Sequence, residues 1–198
     1  MEDEALSQTF SGEDFSCVHW QKRRFSGCLF AGCDFSDALL EGCQFAACRF
    51  RACRFHGTLF RRCAVVNSAF PYASLFAVSF EECKMTGSSL AEADASALTV
   101  QGGAWSLTDL HGLKLARMEW RGVSLAGADL RECDLSRSRF LDCDLSSAQL
   151  TNADLRESDL RGSRMDGVDF PHIRMKNTKI DLEQAVLLAE SMGARFQP

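Results

Sequence analysis

The sequence predicts an all-β solenoid, a rod of stacked square coils closed by one short C-terminal helix, and three observations predict it. From Phe10 to Ile180 every residue whose number is a multiple of five is apolar: thirteen Phe, twelve Leu, three Trp, three Met, two Val, one Ile and one Ala fill all 35 positions. At the overall hydrophobic content of 46%, chance would fill roughly 16 of them. Two positions before each centre the residue is small in 27 of 35 units, with nine Cys, six Ala, five Ser, four Val and three Thr. Two positions after the centre stand 12 of the 14 glycines.

A period of five matches neither the helix at 3.6 nor the strand at 2.0, so each unit is a short straight run plus a turn. Four units close a square, with the large centre and the small slot inward and the glycine easing a corner that needs φ > 0. Coils stack through backbone hydrogen bonds at roughly 4.8 Å each, giving roughly nine coils and a rod roughly 40 Å long.

Along the chain, residues 1–9 read as an N-terminal tail, 10–180 as the coils and 181–198 as a helix with its tail. Gln8, Glu13 and Arg23 occupy inward slots, so the first coil is a frayed or specialised cap. The frame never slips, but its quality falls between Ala95 and Trp120. Ala95 is a small centre, Leu98, Leu113 and Met118 overfill small slots, and Trp105 follows Gly103 at a distance of two. Distorted coils with a repacked core and a projecting loop both fit this stretch. After Ile180 the period changes: Asp181 with Gln184 forms a capping box, Leu182, Ala185, Val186, Ala189 and Met192 recur at helical spacing, and Gly193 ends the helix.

Runs such as Cys33-Asp34-Phe35-Ser36, Ala128-Asp129-Leu130-Arg131 and Ala153-Asp154-Leu155-Arg156 match the signature [ACSTV]-[DN]-[LF]-[STR]-x. The chain therefore resembles the pentapeptide repeat proteins, and the resemblance implies a right-handed quadrilateral β-helix. The tail from Asp181 to Gly193, ending in Ala194-Arg195-Phe196, is similar to that of the quinolone-resistance (Qnr) and MfpA branch, and the segment Thr108 to Leu115 resembles MfpA. That likeness implies a protein that binds DNA gyrase, and topoisomerase IV as a further target, and protects it from quinolones or natural poisons by imitating DNA. It also implies a head-on homodimer through Leu182, Val186, Leu187, Met192 and Phe196, whose apolar surface exceeds what one rod end needs.

Charge places the candidate contact surface. The net charge is −5, so a general nucleic-acid binder gaining affinity by counterion release is not expected. Residues 19–63 carry eight basic and three acidic residues, whereas 64–170 carry ten basic and sixteen acidic. Folding the frame into squares puts Glu92, Asp109, Asp129, Glu132 and Asp169 on one wall and Asp94, Asp134, Asp154 and Glu157 on the next. The two walls share an acidic edge that reads either as a solvated face or as a stand-in for duplex phosphates entering a basic groove. Val66, Pro71, Tyr72 and Phe76 form a candidate apolar contact patch on one coil. A scaffold for partners unrelated to gyrase remains open, as does nucleic-acid contact through Arg49, Arg51, Arg54, Arg61 and Arg62 at the basic end.

No catalytic set is legible, because His19, His56, His111 and His172 all face outward and a filled rod offers no pocket. Neither cofactor nor metal is expected. Nine of the ten cysteines (28, 33, 43, 48, 53, 63, 83, 133 and 143) fall in the inward slot as core filler, and only Cys17 lies elsewhere. No apolar run approaches a membrane span and the first residues are acidic where a signal peptide would be basic, so the expected location is the cytoplasm, with reduced thiols.

Overall fold

The computed structural model describes residues 4–195 and 197. Residue i pairs in parallel with residue i + 20 along the whole rod. On the first wall the column runs from Glu4 through Arg24, Gln44, Ala64, Lys84, Ala104, Ser124 and Asp144 to Arg164. Each unit bonds the coils on either side: the Phe35 amide donates to the Arg54 carbonyl at 2.7 Å and the Asp34 amide to the Glu13 carbonyl at 3.0 Å. The corner closes locally, with the Ala38 amide donating to Phe35 O at 3.0 Å. Corner residues other than Glu92 and His172 are left-handed whether or not they are glycine, with φ +58° at Tyr72, +58° at Leu107 and +61° at Glu132. The coil imposes this conformation, and glycine only removes its steric cost.

The inward positions fill the rod without a gap in the frame. Phenylalanines stack in ladders, Phe25 on Phe45 at 5.0 Å and 5° and Phe35 on Phe55 at 4.9 Å and 6°. The small slot has a polar job as well as a volume limit. Cys53 Sγ donates to the Phe30 carbonyl at 3.3 Å, Thr108 Oγ1 to Met85 O at 3.1 Å and Ser138 Oγ to Leu115 O at 3.0 Å, each 23 residues back. Burial pushes the Cys48 thiol up to about 11 and those of Cys53 and Cys133 up to about 12. These thiols stay protonated and inert at neutral pH.

Residues 95–120 form distorted coils, and no loop projects: Ala104 bridges Lys84 and Ser124, and Gln101 pairs with Arg121. Trp105 is fully buried. Gly103 permits this packing, since its φ is +92° and a Cβ there would collide with the Cys83 backbone. Leu98 and Leu113 are buried, while Met118 is only partly so. The indole N–H groups of Trp105 and Trp120 have no acceptor among the described residues. Their rings meet edge to face at 6.4 Å and 85°. One coil earlier the hydrogen-bond step slips locally, for the Tyr72 amide donates to Glu92 O at 3.2 Å, twenty residues on, whereas the Ala52 amide reaches Pro71 O, nineteen on.

At the N-terminal end, Glu4–Leu6 pairs with Arg24–Ser26, so coils begin inside the segment read as a tail. Gln8 and Glu13 are exposed despite their inward slots, and the Arg23 guanidinium lies 5.1 Å from the Trp20 ring centre. At the other end the helix spans Leu182–Ser191 with the expected capping box of Asp181 and Gln184. Gln184 is buried, and its amide nitrogen donates to the carbonyls of Leu160 at 2.5 Å and Ser163 at 2.7 Å. Asp181 accepts from the Gly162 amide at 2.8 Å. Leu187 and Leu188 pack against the last coils.

Candidate partner-binding edge

The second wall carries the centres Phe50, Phe70, Leu90, Leu110 and Leu130, and the third carries Phe55, Leu75, Ala95, Leu115 and Leu135. On the second, Ser89, Asp109, Asp129 and Gln149 form one ladder column. On the third, Ser74 bridges Asp94, and Lys114, Asp134, Asp154 and Arg174 form a column. The two acidic walls read from the sequence therefore adjoin as expected. Gln149 separates Asp169 from Asp129 along the stack.

The aspartates of this edge have a second duty that the sequence reading missed. In the units of this edge that carry an Asp immediately before the centre, outside the three-residue strands, that Asp supplies the acceptor for the amide of the residue after the centre. Asp94 takes the Ser96 amide at 3.1 Å, Asp109 that of His111 at 3.1 Å, Asp129 that of Arg131 at 3.1 Å, Asp134 that of Ser136 at 3.0 Å and Asp154 that of Arg156 at 3.1 Å. This is the Asx arrangement, repeated up the rod. The signal was present as the [DN] position of the repeat. Asp169 is the exception, because the residue two on is Pro171, which has no N–H.

Arginines then divide the edge. Asp129 is gripped by Arg131 at 2.9 and 2.5 Å, and Glu157 by Arg137 at 3.0 Å. Asp154 is gripped by Arg156 at 2.8 and 2.6 Å and is only 4% exposed, so it presents no carboxylate to a partner. Glu132 faces His111 at 3.8 Å. Among the described residues Glu92, Asp94, Asp109, Asp134 and Asp169 lie within ion-pair distance of no Arg, Lys or His. Asp109 accepts a hydrogen bond from the Ser89 hydroxyl at 2.8 Å. The Ser96 hydroxyl and amide hold the Asp94 carboxyl below its usual range, and the Arg131 guanidinium does the same for Asp129. The uncompensated charge is thus concentrated at Glu92, Asp94 and Asp109, inside the segment from Ser88 to Leu113 that contains no Lys or Arg.

The apolar patch is smaller than the sequence suggested. Tyr72 is 67% exposed at the corner of the two walls and Phe76 is 50% exposed on the third. Pro71 is buried, and Val66 lies on the first wall, opposite Phe76, because it sits ten residues, or two walls, earlier. Of the helix residues assigned to a dimer contact, Leu182 and Met192 are 78% and 74% exposed. Val186 is half-buried and Leu187 is packed against the coils. Phe196 lies outside the described residues. No helix among the described residues is long and apolar enough to cross a membrane.

A chain whose inward positions repeat every five residues and whose coils repeat every twenty defines a class of repeat solenoid. The model of the pentapeptide repeat family matches residues 24–63, 106–141 and 143–181 in eight copies, more than half of the chain, and the protein belongs to that family. No curated protein matches the sequence. Among solved structures the chain is similar to QnrB1, described as a plasmid-mediated fluoroquinolone resistance protein. A trypsin-treated form shares 18% identity at a TM-score of 0.73, covering 98% of this chain and 97% of that one. The full-length form shares 21% at 0.59, covering 96% and 100%. HetL, a pentapeptide repeat protein involved in heterocyst differentiation regulation from the cyanobacterium Nostoc, shares 20% at 0.54, covering 89% and 84%. At these identities the likeness establishes the right-handed quadrilateral β-helix and nothing finer.

Proposed function

We propose that this protein is a non-enzymatic, cytoplasmic binder of type II topoisomerases that protects DNA gyrase, and topoisomerase IV beside it, from quinolones or natural gyrase poisons. The observation that carries the reading is the cluster of uncompensated carboxylates, Glu92, Asp94 and Asp109, on one edge of a straight, narrow rod. Successive coils put such groups roughly 4.8 Å apart. A basic groove that accepts duplex phosphates would accept them by the same electrostatics. Asp129 and Glu132 extend the edge in weaker form, since each has a basic neighbour. The end-to-end fold likeness to QnrB1 supports the same partner class. A homodimer through the exposed Leu182 and Met192 of the capping helix completes the reading, with two rods head to head.

The test is a gyrase supercoiling assay with and without a fluoroquinolone. Wild-type protein should reduce supercoiling or rescue it from the drug, less so as salt rises. Asp109→Asn, Asp129→Asn and Glu132→Gln together should weaken the effect several-fold while leaving stability within about 0.5 kcal/mol, because Asn keeps the Asx acceptor. A wild-type protein inert toward gyrase at large excess would instead identify a scaffold for other partners.

A further inference from the structure

We infer that Tyr72 and Phe76 form an apolar anchor for a protein surface of the same topoisomerase, distinct from the acidic edge beside it, so that the rod binds by two physically different contacts. This inference rests on the proposed partner. Tyr72 occupies a left-handed corner at φ +58° and leaves two thirds of its surface in water. Glycine fills the equivalent corner in twelve units, so a large aromatic there has a backbone cost and gains little burial in return. Phe76 is half exposed, and its aromatic neighbour is the His56 ring, met edge-on at 5.8 Å. Folding accounts for neither ring.

The surroundings define the occupant. Next to Tyr72 a dent of about 330 Å³ opens over Pro71 and Ala91, with Arg49 on its N-terminal side and Glu92 and Asp109 on its C-terminal side. The following coil carries small side chains around its two charges, Ala91, Ala93, Ala95 and Ser96, and a second shallow dent lies over them. At this place Glu92 O rather than Ala91 O takes the Tyr72 amide, a step that recurs where His172 O takes the Asn152 amide. A protein segment fits this pattern if it seats an apolar side chain on the rings, a basic group toward Glu92 and Asp109, and an acidic group toward Arg49. DNA and anionic lipid do not fit, because the carboxylates one coil away would repel phosphates.

The experiment measures binding of purified gyrase at low and moderate salt to three proteins: wild type, Tyr72→Gly with Phe76→Ser, and Asp109→Asn with Asp129→Asn and Glu132→Gln. The aromatic variant should melt no lower than wild type and yet bind gyrase about 10- to 100-fold more weakly at both salt concentrations, with an unchanged salt dependence. The acidic variant should instead flatten the salt dependence. Wild-type-like binding by the aromatic variant, or a change in its salt dependence, would overturn the anchor while leaving gyrase as the partner. Failure of wild type to bind gyrase at low salt would overturn the partner and the anchor together. If Tyr72→Gly lowers the melting temperature, Tyr72→Ser alone provides the same comparison, and its unaltered binding overturns the inference.

Discussion

The N-terminal and C-terminal halves of the rod fill one frame with different chemistry. Between Phe25 and Phe80 the centres are mostly Phe and half of the slots are Cys, and rings stack from coil to coil, Phe60 on Phe80 at 4.7 Å. From Leu110 to Leu160 the centres are mostly Leu over Ala, Ser, Thr or Cys, and the outer layer is stitched by aspartates that take local amides and, at 129, 154 and 159, by arginines two residues on. The frame demands a large centre and a small slot, from which Cys, Ser or Thr can also donate to the carbonyl 23 residues back; it does not demand a particular residue. Sulfur and oxygen serve the slot equally, and Phe and Leu serve the centre. The two fillings meet between Ala95 and Trp120, and there the slot rules fail and two indole N–H groups go unpaired among the described residues.

Breaking the comparison begins in the core. Phe50→Ala should cost about 3–5 kcal/mol in chemical denaturation and Leu130→Ala about 2–5, since each leaves a cavity within a stack whose neighbours cannot collapse. Values far apart would mean that one filling relaxes and the other does not. At the junction, Gly103→Ala should cost about 1–3 kcal/mol, because the backbone is left-handed and Cys83 blocks the Cβ. A smaller loss than at Gly122, where nothing lies near the Cβ, would show that the junction gives way easily.

The outer layer gives smaller effects. In the C-terminal half Asp144→Ala should cost about 0.5–2 kcal/mol, as for a lost cap, while Asp144→Asn should be near neutral. Acid sharpens the same point. The Arg161 guanidinium draws the Asp159 carboxyl from 3.8 down to about 2, so its stabilisation is present above about pH 4 and is lost as the pH falls toward 2. Melting temperature recorded across that window should fall, and Asp159→Asn should remove part of the fall. Smallest of all, Arg51→Ala in the N-terminal half should stay within about 0.5 kcal/mol, for an exposed side chain with no ion-pair partner among the described residues.

Residue spacing carried most of this architecture. The centres, slots and corners, the helix and its capping box all follow from positions in a five-residue frame, because each is a local demand. The pairing of Asp129, Asp154 and Glu157 did not follow, since it depends on which rotamer reaches an arginine two residues or one coil away. The slip at Glu92 was invisible, because the number of residues per coil is conserved while the hydrogen-bond step changes. The Asx role of the edge aspartates was readable from the position before each centre; it was obscured by reading them only as surface charge. Val66 was separable from Phe76 by counting walls, and the burial of Pro71 was not.

The capping helix has a consequence for the fate of the chain in a crowded solution. A parallel stack in perfect register is a one-dimensional crystal, and its bare end is a template on which another copy could continue to grow. Gln184 terminates that growth by taking the Leu160 and Ser163 carbonyls that the next layer would use. At the opposite end Gln8 and Glu13 put polar side chains where an incoming layer would need small apolar ones. The same repeat that makes the rod easy to build would make it fibrillar, and one buried amide at the C-terminal end keeps it finite.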